Sequence, residues 1–250
     1  SYQWKKDGAP ILGASGSSYT IGNVQTSHAA NYSVTVSNDC GYAESGYATL
    51  YVRTSPTIDT HPEGDTLCEG EKITLYTSAS GSGPLYYQWK KDGVSISGAN
   101  SDSLTILYAS SSDSGNYTVR VENDCGHATS DPAYVEVRVA PYIQDHPYDQ
   151  ELCEGEELTL SVTATGSEPL YYQWKKDGAA ISGATSSTLT VSSVSSSDAG
   201  AYTVRVENDC GYADSDPAYV VVRVAPYIVD HPEDQVLCEG ETIHLSVTAS

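Results

Sequence analysis

Between residues 55 and 139, apolar and polar side chains alternate in short runs separated by turn-forming residues. Ile73 to Ala79, Leu85 to Lys91, Ser103 to Leu107, Tyr117 to Glu122 and Tyr134 to Val139 each show period two or dense β-formers, and each predicts a strand. Between them stand Glu69-Gly70, Asp92-Gly93, Ser114-Gly115 and Asn123-Asp124-Cys125-Gly126, which are turn signals. No window carries a helical period with caps. About seven short strands with one tryptophan and no helix is the profile of an all-β, two-sheet sandwich.

The pattern repeats. Trp4, Trp89 and Trp174 are spaced by 85 residues, as are Cys40, Cys125 and Cys210, and Cys68, Cys153 and Cys238. Whole blocks recur, for example Tyr86 to Gly93 at Tyr171 to Gly178. A period of 85 is too long for a solenoid turn and suits a small autonomous domain, so the chain reads as tandem domains. Residues 55–139 and 140–224 are expected to be complete periods. Residues 1–54 hold the later strands of one more, and 225–250 the first two strands of another.

A partial period is not expected to bury its core alone, which would leave Trp4 without its opposing strand. Two arrangements satisfy this expectation. The sequence is a window of a longer array, or the tail strands of one copy complete the head of the next, giving head-to-tail association of copies.

Composition narrows the function. Twelve Lys and Arg against 33 Asp and Glu give a formal charge of -21, which argues against a nucleic-acid partner. No apolar stretch has the length of a membrane span. Six Cys, 20 Tyr and no Phe in a Ser- and Thr-rich chain fit an oxidising, extracellular or cell-surface setting.

In order, Glu69-Gly70, Ile73-Thr74-Leu75, Trp89 to Gly93, Ser103 to Ile106 and Asp113-Ser114-Gly115-Asn116-Tyr117 resemble the I-set immunoglobulin domain. More specifically, the chain resembles the tandem immunoglobulin-like repeats of large bacterial surface and secreted proteins. The resemblance implies that Trp89 and Trp174 fill sandwich cores and that Tyr117 and Tyr202 form tyrosine corners. The first period departs from the motif, with His28-Ala29-Ala30-Asn31-Tyr32 in place of Asp and Gly. Tyr32 is retained, and its corner is expected to be less firmly held.

The cysteines do not match the family's disulfide, which joins strand B to strand F. Those positions are Thr77 and Val119, or Val162 and Val204, so an apolar contact around the tryptophan is expected instead. Cys68 stands at the turn into strand B and Cys125 in the F-to-G hairpin, at opposite ends of a sandwich of this topology. Strand B separates them by roughly 20 Å, against the ~7 Å between Cα atoms that a disulfide allows. Two pairings stay open. One joins successive periods through Cys68–Cys210, leaving Cys40, Cys125, Cys153 and Cys238 for neighbouring segments. The other is ordinary pairing within a period, Cys68–Cys125 and Cys153–Cys210. Strand length favours the first. Zinc is disfavoured because no C-x-x-C is present.

No nucleophile elbow, P-loop, dinucleotide fingerprint or zinc helix motif occurs, so no enzyme and no cofactor is expected. His61, His146 and His231 recur before proline and are expected to be structural, and the serine runs before Asp113 and Asp198 read as turn chemistry. If Cys68 meets Cys210, then Glu69 and Glu71 approach Glu207 and Asp209, a candidate Ca²⁺ site; a solvated acidic surface accounts for the same residues. Asn31 and Asn116 open short glycosylation sequons. The expected function is a structural fibre or rigid surface stalk. The alternative is an adhesin binding a glycan or a host or cell-surface protein.

Overall fold

The computed structural model describes residues 1–250. The chain divides into two compact units, Ser1–Thr66 with Glu71–Glu136, and Leu67–Gly70 with Val137–Ser250. Apart from three 3₁₀ turns at Thr26–His28, Ser111–Asp113 and Ser196–Asp198, all regular structure is β.

In the second unit, residues 140–224 form a two-layered sandwich. One sheet runs in the order Gln150–Cys153, Ala218–Arg223, Gly200–Asn208, Tyr171–Lys176, Ala179–Ala180, with Gly211–Asp214 also on Gly200–Asn208. Gln150–Cys153 lies parallel to Ala218–Arg223, with Cys153 opposite Arg223. The facing layer consists of two short pairs, Leu158–Ser161 with Thr188–Val191 and Tyr142–Asp145 with Thr163–Thr165. Alternation sets the core: Leu158 and Leu160 of one layer and Val204 and Val206 of the other point inward and are buried around Trp174. The Trp174 indole N–H donates to the Ser186 carbonyl at 2.9 Å, so its one polar atom is satisfied.

The first unit contains the same sandwich over residues 55–66 and 71–136, with Trp89, Tyr117, Val119 and Val121 fully buried. The run predicted as one strand from Ile73 to Ala79 is broken at Thr77. Ile73–Tyr76 pairs with Ser103–Ile106 and Ser78–Ser80 with Thr57–Thr60, and the buried Thr77 hydroxyl donates to the Thr60 carbonyl at 2.8 Å where the partner changes. The Asp92-Gly93 turn has φ of +48° and +81°, the geometry of a two-residue hairpin loop. Asp92 Oδ1 accepts from the Asn116 N–H at 2.9 Å, and this holds its carboxyl below the usual range. Gly115 stands beside it at φ +156°, where a Cβ would lie 2.6 Å from Asp92 Oδ2; the first period has Ala30 at this position and still makes the corresponding bond, Asn31 N–H to Asp7 Oδ1 at 3.0 Å.

The tyrosine corner is observed at Tyr117, whose hydroxyl donates to the Asp113 carbonyl at 2.8 Å; burial pushes its pKa up to about 12. Tyr202 does the same toward Asp198. Tyr32 makes the equivalent bond to the His28 carbonyl, also at 2.8 Å, so loss of the aspartate does not remove it. The acceptor is main chain. What the aspartate side chain does is cap the 3₁₀ turn, through the Ser110 and Ser195 N–H groups, and His28 Nδ1 takes over that acceptor role for Gln25 N–H at 2.8 Å. Two of the three histidines before proline bond the backbone: His61 Nδ1 accepts from Asp131 N–H, and His146 Nδ1 from Asp216 N–H, each at 2.8 Å.

Residues 1–54 form a single sheet, ordered Ala9–Pro10, Tyr2–Lys6, Ala30–Asn38, Gly41–Glu44, with Ala48–Leu50 also on Ala30–Asn38. Trp4 is only half-buried and Val36 is 40% exposed, against complete burial of Val121 and Val206. Ser18–Ile21, whose counterparts are the strands Ser103–Ile106 and Thr188–Val191, is not a strand. Residues 225–250 carry one short pair, Ile228–Asp230 with Thr248–Ala249, and their apolar side chains are exposed.

Candidate functional site, a clamped junction between periods

The chemistry gathers where one period passes into the next. In the second unit, the hairpin after Gly200–Asn208 turns through Asp209-Cys210, with Asn208 opposite Gly211. Asn208 Oδ1 accepts from the Cys210 N–H at 2.9 Å and fixes the turn. Its amide nitrogen, facing the other way, donates to the carbonyls of Val139 and Ser167, both at 2.9 Å. The linker is thereby held on one side. On the other, the Glu69 N–H donates to the Arg138 carbonyl at 2.8 Å.

Two adjacent linker residues, Arg138 and Val139, are thus gripped from both sides, which brings the neighbouring cysteines together. Cys68 and Cys210 form a disulfide with Cα atoms 5.5 Å apart, closing a span of 142 residues. Cys68 is joined to Cys210 and not to Cys125, which is a free, exposed thiol, as are Cys40, Cys153 and Cys238. Arg138 adds an ion pair to Asp209 Oδ2 at 2.8 Å. With the aspartate side chain 71% exposed, this contact orients the turn more than it stabilises it.

A junction of the same design lies in the first unit. Asn123 donates to the carbonyls of Thr54 and Ser82, both at 2.8 Å, and Arg53 pairs with Asp124 at 2.7 Å. Ser55 Oγ donates to the Cys125 carbonyl at 3.1 Å. The sequence marks Asn123 as a turn residue only and does not single out the arginine, although Arg53, Arg138 and Arg223 share the period of Asp39, Asp124 and Asp209. That shared spacing was the available signal.

The four acids named as a candidate Ca²⁺ set are not gathered into one cluster. No group of three or more His, Cys, Asp or Glu side chains is gathered to hold a metal. Asp209 pairs with Arg138, and Glu69 donates its backbone N–H to the Arg138 carbonyl. No helix is long and apolar enough to cross a membrane.

The sandwich topology, buried tryptophan and tyrosine corner define an immunoglobulin-like protein, and sequence comparison agrees. The immunoglobulin domain profile matches residues 55–123 and 140–208, and the chain belongs to that family. Hemicentin-2 of Mus musculus is 32% identical over 267 aligned positions, covering 98% of this chain and 5% of hemicentin-2. The cell adhesion molecule DSCAM of Homo sapiens is 28% identical over 196 positions, covering 70% of this chain and 10% of DSCAM. An I-band fragment from titin superposes with a TM-score of 0.72 at 21% identity, covering 89% of this chain and 88% of the fragment, and shows a shared fold. The chain therefore spans a tenth or less of the length of these two relatives. Both are animal proteins, whereas the sequence motifs resembled bacterial surface repeats; tandem immunoglobulin domains are common to both.

Proposed function

We propose that the chain is a non-enzymatic structural segment of an extracellular or cell-surface fibre or stalk. It is built from two complete immunoglobulin domains at 55–139 and 140–224, with parts of two more at 1–54 and 225–250. Neighbouring segments complete it head to tail, with disulfides clamping the junctions. The observation that carries this reading is the Cys68–Cys210 clamp over a linker held by Glu69 and Asn208. A linker whose Arg138 and Val139 carbonyls and Arg138 side chain are engaged resists bending, and a disulfide across it carries tension through covalent bonds. Near-identical periods add length without diversifying a binding surface.

Electron microscopy of native material tests the reading. Uniform, straight filaments or stalks are expected, which become flexible at the junctions after reduction. Short, freely jointed particles that reduction does not alter would overturn it. An adhesive role is the second reading, favoured by the name of the DSCAM relative, a cell adhesion molecule. It calls for saturable binding of a protein or glycan by isolated chains.

A further inference from the structure

The periods differ in charge on one face of the sandwich. Alternation along Tyr86–Lys91 and Gly115–Asn123 turns Trp89, Val119 and Val121 into the core, and so turns Gln88, Lys90, Arg120 and Glu122 outward. Gly126–Thr129 lies beside them, with Thr129 opposite Arg120 and His127 opposite Glu122. The same face in residues 140–224 carries Lys175, Arg205 and Glu207, with Asp214 opposite Arg205 and Tyr212 opposite Glu207. In residues 1–54 it carries Lys5, with Glu44 opposite Thr35. The position of Thr129 is therefore an acid in both other versions.

In each of those versions the acid is bound by the cations of its own face. Lys5 Nζ bonds Glu44 Oε1 at 3.0 Å, and Ser33 Oγ donates to the same oxygen at 3.2 Å. Arg205 grips Asp214 with two bonds, Nε to Oδ1 at 2.9 Å and Nη2 to Oδ2 at 2.7 Å, while its guanidinium lies 4.0 Å over the centre of the Tyr212 ring. Arg205, with Lys175 nearby, holds the Asp214 carboxyl below its ordinary range. With Thr129 in that place, Lys90 makes no ion pair, and Arg120 turns to Glu122 on its own strand, reaching one oxygen from two nitrogens at 2.8 and 3.1 Å. Glu207 is the counterpart of Glu122, yet Arg205 takes the carboxylate on the neighbouring strand instead. Tyr86, Lys90, Ser95, Arg120 and Glu122 line an open polar depression at this point, and Tyr86 is 59% exposed.

We infer that this depression is a docking site for a protein partner, which inserts one aspartate or glutamate side chain between Lys90 and Arg120. The carboxylate takes the place that Glu44 and Asp214 fill from within their own periods. Arg120 then exchanges Glu122 for it, and the exposed Tyr86 ring packs against the partner's surface. Glu44 and Asp214 differ in length, so a side chain of either type fits such a place. Net charge narrows the partner further. At -21 the chain repels a polyanion, and the face suits a lone acid set in an otherwise neutral protein surface. The site serves a partner docking from the side and does not require that chains assemble into a fibre.

NMR of the full-length chain tests the site, with acetyl-Gly-Glu-Gly-amide as the probe. The glutamate peptide shifts the Arg120 Nε–Hε signal saturably and leaves that of Arg205 in place, whereas acetyl-Gly-Gln-Gly-amide shifts neither. Thr129→Asp supplies the carboxylate from within, and the response at Arg120 is lost. Asp214→Thr opens the corresponding place, and Arg205 gains the response. Both substitutions fall on exposed strand residues, and backbone amide signals that stay in place elsewhere show that each variant is folded. An Arg120 signal that ignores the glutamate peptide or follows both peptides equally, a response that survives Thr129→Asp, or an Arg205 that stays silent in Asp214→Thr would overturn the inference. Glucuronate that binds at Arg120 where the peptide does not would overturn it too, since the partner would then be a glycan.

Discussion

Residues 1–54 and 140–224 share their tryptophan, their corner tyrosine and their clasp turn, yet the tryptophan is fully buried only in the second. The difference lies in one layer. Where Leu158 and Leu160 cover the sheet, Trp174, Val204 and Val206 are fully buried; where no such strand lies, Val36 is 40% exposed. Hydrogen bonding is less affected, since the Tyr32 corner bond and the Trp4 indole bond to Gly16, at 3.1 Å, are both made. Local backbone geometry in this fold is set within one sheet, while burial needs both.

The largest expected effect that sharpens this contrast is in the core. Trp174→Ala lowers stability by about 3–5 kcal/mol, whereas Trp4→Ala in the isolated chain costs less than half as much, because less area leaves water; denaturant unfolding of each variant measures it. Next comes the clamp. Cys210→Ser lowers stability by about 2–4 kcal/mol, and Cys125→Ser, at the junction without a disulfide, by under about 0.5 kcal/mol. Equal losses at the two cysteines would show that the bond adds nothing to the hydrogen-bonded clasp.

A smaller effect separates the turns. Asn208→Ala leaves the Val139 and Ser167 carbonyls without their side-chain donor and costs about 1–3 kcal/mol, with faster amide exchange at Ser167. Asn38→Ala removes only the internal turn bond to Cys40 and costs about 0.5–1 kcal/mol. The smallest concerns pH. Bonds from the Ser195 N–H, then the Ser195 hydroxyl, with Lys176 nearby, hold the Asp198 carboxyl below its ordinary value of 3.8. A lowered folded pKa contributes stability that is complete above 3.8 and is lost as pH falls through the folded value. The Ser195–Asp198 turn therefore loosens under acid as its carboxylate protonates, while the turn at Gln25–His28 rests on an imidazole nitrogen as acceptor in place of a carboxylate. Amide exchange at Ser195 and Gln25 against pH reads the difference.

Strand positions, the 85-residue period and the core tryptophans were legible in the sequence because period-two alternation and repetition are local, one-dimensional signals. What alternation leaves unread is which group each side chain meets. Asp209 looked like one of several crowded acids until Arg138 was placed beside it. The corner at Tyr32 lacks the aspartate and still makes its bond, because the acceptor is a carbonyl. The break at Thr77 was hidden because alternation does not reveal that a strand changes partner.

The sequence by itself determined an all-β chain of repeated immunoglobulin domains, since alternation, turn residues and a tryptophan every 85 positions fix what each segment folds into. It left two cysteine pairings open. Only the tertiary structure decided between them, because pairing depends on where the ends of strands lie in space. Glu69 and Asn208 grip adjacent carbonyls of one linker, and that three-dimensional coincidence brings Cys68 and Cys210 within bonding distance across 142 residues.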